Sequence, residues 1–187
     1  MPLIVVVYFS ATGSTAKLAE AVGTGASTLV RVELSSIAGK DIVDGRFRNE
    51  EVLALVDRAQ GVVFGSPTYM GGPAAQFKAF ADATGDRWSE GRWKDKVAAG
   101  FTTGSCANGD QSHTLSYFSV FAAQHAMIWC NLDIPGGYDA LGRNRLGTQV
   151  GVVSESSDAN VNETDLRTAY SLGRRVAELT RRLHPRE

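Results

Sequence analysis

Two cysteines in 187 residues, Cys106 and Cys130, are too few for a disulfide framework, and no CxxC spacing offers a structural zinc site. Reduced thiols in a cytosolic chain are therefore expected. His113 and His184 have no partners at metal-binding spacing. No charge of either sign dominates: the formal net charge is −1, which gives no electrostatic basis for nucleic-acid or anionic-membrane binding. Long hydrophobic runs are missing as well. The segment Leu3 to Val7 is too short for the apolar part of a secretory leader, and nothing approaches the ~20 apolar residues of a membrane span. No repeat, low-complexity tract or linker interrupts the chain, so residues 1–187 read as one domain. The rest of the composition, 43% hydrophobic and 21% charged, is that of an ordinary globular protein.

What is present is an alternation of apolar strands and amphipathic helices. LIVVVYF (Leu3 to Phe9) is continuous and β-branched, as in a strand buried on both faces of a parallel sheet. A helix follows from Thr15 to about Val22, and Gly23 and Gly25 are expected to stop it. Further strands are predicted over Thr28–Leu34, Gly61–Pro67, Lys96–Thr103 and Ala126–Leu132, with Pro67 ending the third. Thr148–Val153 reads as completing or extending the fifth. Helices are predicted over Glu50–Ala59, from near Pro73, over Ser112–Gln124 and from about Glu163 to Leu183, the last capped by Asn162 or Thr164. Such an alternation implies an open parallel sheet with helices on both faces. Ligands of these sheets sit beyond the carboxyl ends of the strands.

Three loops occupy those ends, and all three are rich in small and hydroxyl residues. The first is Ser10, Ala11, Thr12, Gly13, Ser14 and Thr15, between a buried strand and a helix. A phosphate there would meet backbone amides, the positive end of a helix and several hydroxyls, and Gly13 would allow close approach. The loop contains no Lys or Arg and is neither GxxxxGK[ST] nor GxGxxG, so nucleoside-triphosphate hydrolysis and a dinucleotide fingerprint are not expected. The second loop carries Pro67, Thr68, Tyr69, Met70 and Gly71; an aromatic and a thioether suit the covering of a flat ring. The third carries Thr103, Gly104, Ser105, Cys106, Asn108 and Gly109, whose amides could pair with the polar edge of a heterocycle. No basic residue adjoins Cys106 in sequence, which argues against an activated nucleophile. Trp93 and Trp129 read as packing residues. Arg174, Arg175, Arg181 and Arg182 read as charges favoured near a helix C-terminus.

The stretches YFSATGSTAKLAEAV, GSPTYMGGPAAQFKAFADATGDRW, KVAAGFTTGSCANGDQSHTL and QHAMIW, in that order, resemble the flavodoxin-like FMN proteins. The likeness is closest to the tryptophan-repressor-binding-protein family of NAD(P)H:quinone oxidoreductases. It implies an α/β fold with a five-stranded parallel sheet in the order 2-1-3-4-5. It also implies that Ser10, Thr12, Gly13, Ser14 and Thr15 hold the FMN phosphate. Pro67 to Gly71 would flank the isoalloxazine, Thr103 to Gly109 would line its pyrimidine edge and ribityl chain, and Trp88 would wall a substrate cleft. The pattern departs at Thr12, where the family has an aromatic, at Gln124-His125, where it has a His pair, and at Tyr69-Met70, where Arg-Phe is common.

The resulting expectation is an FMN-dependent reductase using NAD(P)H and a quinone-like acceptor, with no catalytic side chain and no metal. A homo-oligomer is possible within that reading. The alternative is a flavodoxin-type carrier shuttling electrons between protein partners. The near-neutral charge favours the enzyme, because carriers tend to use strong acidic patches for steering. The excursion from Asp133 to Gly147 fits either reading.

Overall fold

The computed structural model describes residues 1–157 and 159–185. In chain order the elements are β1 (Leu3–Tyr8), α1 (Ser14–Ser27), β2 (Arg31–Ser36), a hairpin of β3 (Ile42–Val43) and β4 (Arg46–Phe47), α2 (Glu50–Arg58) and β5 (Gly61–Tyr69). They continue with β6 (Gly72–Pro73), α3 (Ala75–Asp82), α4 (Gly85–Ser89), β7 (Val97–Gly104), α5 (Gln111–Gln124), β8 (Ile128–Trp129), β9 (Val152–Ser157), β10 (Asn160–Val161) and α6 (Glu163–Leu183). The main sheet runs β2-β1-β5-β7, and β8 and β9 both lie on the far side of β7. All of these pairings are parallel. With β8 and β9 sharing one position, the order is the expected 2-1-3-4-5.

The continuous apolar run of β1 follows from its place in the sheet. Val5 and Val7 face a core built with Phe64, Phe77, Phe80, Trp93 and Phe118, while Ile4 and Val6 face another built with Leu18, Val22, Phe101 and Leu172. Alternate residues therefore enter different cores, and neither face can be polar. Buried charges are matched. Arg87 pairs with Glu50 and Asp57, and Asp57 also accepts from the Trp93 indole at 2.7 Å. Lys96 donates to the carbonyls of Val56, Asp57 and Ala59 at the end of α2, and burial pulls its pKa down to about 8.

Three features differ from the sequence reading. First, α1 does not stop at Gly23 or Gly25 but continues to Ser27. A Cβ on Gly25 would lie 2.0 Å from the Tyr170 carbonyl oxygen, and one on Gly173 would lie 2.0 Å from the Val22 carbonyl oxygen. These glycines are where the backbones of α1 and α6 touch. The interior-helix cost of Gly, ~1 kcal/mol against Ala, is offset by that approach. Second, Pro67 does not end its strand. It pairs in register with Thr103, and β5 runs on to Tyr69. Pairing with β1 ends at Gly65, so Pro67 stands where one side of β5 has become an edge and the missing N–H is tolerated.

Third, the fifth sheet position is filled in two pieces. The amide of Cys130 still donates to Ala98 at 2.7 Å, but the chain then leaves and returns as β9 against Phe101–Gly104. Asn144 organises the excursion in between. Its amide nitrogen donates to the Ile134 carbonyl at 2.8 Å and to Gln149 at 2.6 Å, and its backbone N–H donates to Thr168 on α6 at 2.9 Å.

Gly173→Ala should cost about 3 kcal/mol, because the new methyl group meets backbone that cannot rotate away. Urea unfolding reads this directly; a wild-type midpoint would show that α1 and α6 do not touch at Gly173.

Candidate functional site

The loops after β1, β5 and β7 meet at one edge of the sheet, held together by side-chain hydroxyls. Thr102 donates to the Ser66 carbonyl at 2.7 Å, so its hydroxyl accepts from Thr68, 2.8 Å away. Thr68 has then spent its proton, and accepts from Thr114 on α5, also at 2.8 Å. This directed chain, Thr114 to Thr68 to Thr102 to Ser66, ties the second loop to the third. Thr15 and Thr103 tie the first to the third, oxygen to oxygen at 3.2 Å. Ser14 joins Ser156 on β9 at 2.7 Å.

In the first loop, the Ser10 hydroxyl accepts from the amides of Gly13 and Ala16, each at 3.2 Å. Gly13 has φ +100°, the left-handed region that excludes most side chains, and gives α1 no side-chain cap of its own. The amides of Ser14 and Thr15 open the helix and have no carbonyl a turn behind them. They face the loop together with exposed Thr12. Ser10 therefore shapes the turn as a double acceptor, and its hydroxyl proton stays available to donate.

In the second loop Tyr69 is about half exposed and Met70 wholly so, at 49% and 104%. Met70 adopts φ +48° and Gly71 φ +77°, so the chain turns sharply beneath them. His113 Nδ1 bonds the Gly71 carbonyl and anchors this turn to α5. In the third loop Gln111, 3% exposed, accepts from the Gly109 amide at 2.6 Å and donates to the Cys106 carbonyl. A Cβ on Gly104 would lie 2.5 Å from the Gln111 amide nitrogen, so Gly104 makes room for this staple. Ser105 and Cys106 remain exposed. The buried thiol of Cys130 is pushed up to about 11 and stays protonated.

A fourth wall was missed in the sequence. The turn between β9 and β10 brings Ala159 within 3.3 Å of where a Cβ on Gly13 would stand. A polar cleft of about 340 Å³ opens here, lined by Ser105, Arg145, Glu155, Ser156, Asn160 and Asn162. Arg145 holds Asp165 through two bonds of 2.9 Å, and Asp165 also accepts from Ser154 at 2.9 Å. Its charge is thus largely matched, and the edge remains one of neutral donors. Only the polar string SESS hints at this wall, and in a plain reading it looks like a solvated strand end.

The sequence candidates do not all come together. Trp88 lies on α4, 55% exposed, and among the described residues no hydrogen bond joins it to the three loops. His125 is buried away from the loops. Its ring packs 4.4 Å from Trp93, and its Nε2 lies 2.9 Å from the Thr84 hydroxyl, which itself donates to Ala81. Nε2 therefore carries the proton, and buried Nδ1 has no partner among the described residues.

Comparison with known proteins agrees with this geometry. The family model described as NADPH-dependent FMN reductase matches residues 2–132. The chain belongs to that family. A similar relative, "Flavodoxin FldP" of Pseudomonas aeruginosa (strain UCBPP-PA14), is 39% identical over 98% of this chain and 100% of its own length. An "NAD(P)H dehydrogenase (quinone)" of Archaeoglobus fulgidus is 32% identical over 98% of this chain and 100% of its own. Among solved structures, the flavodoxin, WrbA-like protein from Agrobacterium tumefaciens superposes with a TM-score of 0.77 and 36% identity, over 97% of this chain and 99% of that one. As a member of the FMN reductase family the chain is a flavodoxin-like oxidoreductase whose cofactor is FMN. The residues present fit that cofactor. Uncapped amides and hydroxyls at the start of α1 suit one phosphate, and the exposed Tyr69-Met70 turn leaves a face open to a flat ring. Among the described residues no helix is long and apolar enough to cross a membrane.

Thr12→Glu places a negative charge at an exposed point of the first loop and should abolish the rise in melting temperature that excess FMN produces, about 2.7 kcal/mol of stabilisation at a hundredfold excess over Kd. Thermal melts with and without FMN check this. Separately, burial pushes the His125 pKa from 6.5 down to about 4. Below pH ~6.5 the unfolded chain takes up a proton that the folded chain refuses. The corresponding stability, about 3 kcal/mol, is complete above that pH and lost as pH falls towards 4. Urea midpoints across this range should fall less steeply in His125→Phe than in the wild type.

Proposed function

We propose that the protein is an FMN-dependent NAD(P)H:quinone oxidoreductase, formed as one flavodoxin-like unit across residues 1–187 and working in the cytoplasm. The observation that carries this reading is the convergence of three hydroxyl- and amide-lined loops at the carboxyl ends of β1, β5 and β7, with Tyr69 and Met70 left uncovered. Relatives named NAD(P)H dehydrogenase (quinone), at 30% and 32% identity, support it.

When bound, FMN supplies the redox chemistry. The chain's own residues bind, orient and set the electrostatics. Ser10, Thr12, Ser14 and Thr15 would hold the phosphate through hydroxyls and unpaired helix amides, with Gly13 shaping the turn. Pro67, Thr68, Tyr69, Met70 and Gly71 would flank the ring. Thr103, Gly104, Ser105, Cys106 and Asn108 would present neutral donors to its polar edge, favouring negative charge there without a cation, with Gly109 held in line by Gln111. The open face of the Tyr69-Met70 turn leaves access for a second flat molecule, nicotinamide or quinone in turn, with Trp88 as an outlying wall. No side chain is assigned a proton-transfer role.

A second reading has its own observation: the relative at 39% identity is named a flavodoxin. In that reading the same loops hold FMN, and the exposed turn meets protein partners.

The two readings separate in one assay. The flavin-loaded protein should oxidise NADH or NADPH in the presence of benzoquinone at a rate that saturates with both substrates. Bound FMN with no turnover on either nucleotide would overturn the enzyme and leave the carrier. Tyr69→Ala/Met70→Ala should weaken FMN about tenfold by removing aromatic and thioether contact, as read by titrating FMN into the apoprotein.

A further inference from the structure

A larger cavity, about 750 Å³, lies away from the flavin loops, between α6, the second half of α1 and the 133–147 excursion. Its α1 lining residues, Ala21 and Thr24, are seven and ten positions beyond Ser14, or about 10–15 Å along the helix from the phosphate loop. It is thus separate from the site described above.

Its lining is chemically unusual for a chain of net charge −1. Four arginines, Arg143, Arg167, Arg174 and Arg175, converge on it against two carboxylates, Asp133 and Glu178. Three are engaged. Arg143 is held by Asp139 and Ser171, Arg175 by Asp133 and the Asn131 carbonyl, and Arg174 by Glu178. The Arg174–Glu178 pair is surface-exposed, with side-chain accessibilities of 49% and 44%, and is cheaply released. Arg167 is exposed and its guanidinium has no hydrogen bond or ion pair among the described residues.

Apolar residues share the lining: Ile134 is 5% exposed, and Leu141, Leu166 and Tyr170 continue the surface. Guanidinium forks beside aromatic and aliphatic side chains match a ligand with a carboxylate or sulfonate on a flat apolar body. The volume falls within the range of small-molecule sites; Arg167 and Arg174 lie two turns apart on α6, and Arg143 reaches the same groove from the excursion.

We propose that this cavity binds a small aromatic acid, with Arg167 and Arg174 as its anion-recognition pair and Leu141, Leu166 and Tyr170 as the seat of its ring. The binding is independent of the flavin chemistry. The charge of the ligand is required, because an uncharged isostere offers the guanidiniums only neutral acceptors in place of charge-assisted ones.

The test uses the flavin-loaded protein, uniformly 15N-labelled, titrated with naphthalene-1-sulfonate and followed by 1H–15N correlation spectra. Saturable shifts are expected at Ala21, Thr24 and Leu166 to Arg175. The uncharged naphthalene-1-sulfonamide should bind about tenfold more weakly, and so should the sulfonate to Arg167→Gln/Arg174→Gln. That double variant should keep its FMN affinity and turnover, because neither residue belongs to the flavin loops. Shifts confined to the flavin loops, equal affinity for the two probes, or undiminished binding by the double variant would overturn the proposal. Sedimentation velocity supplies the last discriminator: self-association abolished by the double variant would assign the cavity to a second copy of the chain instead.

Discussion

The directed line of hydroxyls from Thr114 through Thr68 and Thr102 to the Ser66 carbonyl is the interaction on which the three-loop edge depends. Thr68 and Thr102 each donate once and accept once, and Thr114 donates at its head, so the line is built without a charge. Two loops separated by more than thirty residues are thereby held in a fixed relation, and Thr15–Thr103 extends the tie to the first loop. A cationic site could hold a phosphate more strongly, but would favour negative charge wherever it appeared. Neutral donors fixed in place grip through geometry. That geometry exists only because β1, β5 and β7 are packed rigidly on both faces.

Most of the architecture was legible because its cause is local and periodic. β1 has no polar residue between Leu3 and Val7 because both faces are covered, and such a run reads as a central parallel strand whatever surrounds it. The limits of α6 were equally plain: Asn162 accepts from the Thr164 amide at 2.8 Å, and the helix runs from Glu163 to Leu183. The misreadings share a different cause. Gly25 looks like a helix stop because the close approach of α6 is more than a hundred residues away in sequence, and Gly23 because its neighbour, Leu34, lies on the next strand. Pro67 looks like a strand end because the loss of pairing with β1 after Gly65 cannot be seen from β5 alone.

The site was legible in the same uneven way. The three hydroxyl-rich loops stand out because each directly follows a strand signal. The wall from β9 and β10 does not. Ser156 and Asn160 reach the first loop only after the chain has left the fifth strand, circled through the excursion and returned. Gln111 falls between the loop and helix signals in the sequence, yet it is the buried staple of the third loop, and the room left by Gly104 is its counterpart. His125 stands where the resembled family has the second histidine of a pair. Its packing under Trp93 and its bond to Thr84 place it instead in the core, where its chemistry bears on acid stability and not on the cofactor.

The excursion links these observations. By splitting the fifth strand it lets β9 run past the carboxyl end of β8 and reach the first loop through Ser156 and Ser14. The same residues anchor it at both ends of that task. Asn144 fastens it to α6 through Thr168, and the next residue, Arg145, fastens it through Asp165 to Ser154 in the strand it creates. Arg143, one residue earlier, turns the other way and lines the second cavity. Three consecutive residues thus brace one segment against two different regions. A strand that merely needed completing could be finished with a short turn. Keeping a longer, internally bonded loop, with a buried asparagine in the left-handed region at its centre, indicates that the segment's exposed side has work of its own.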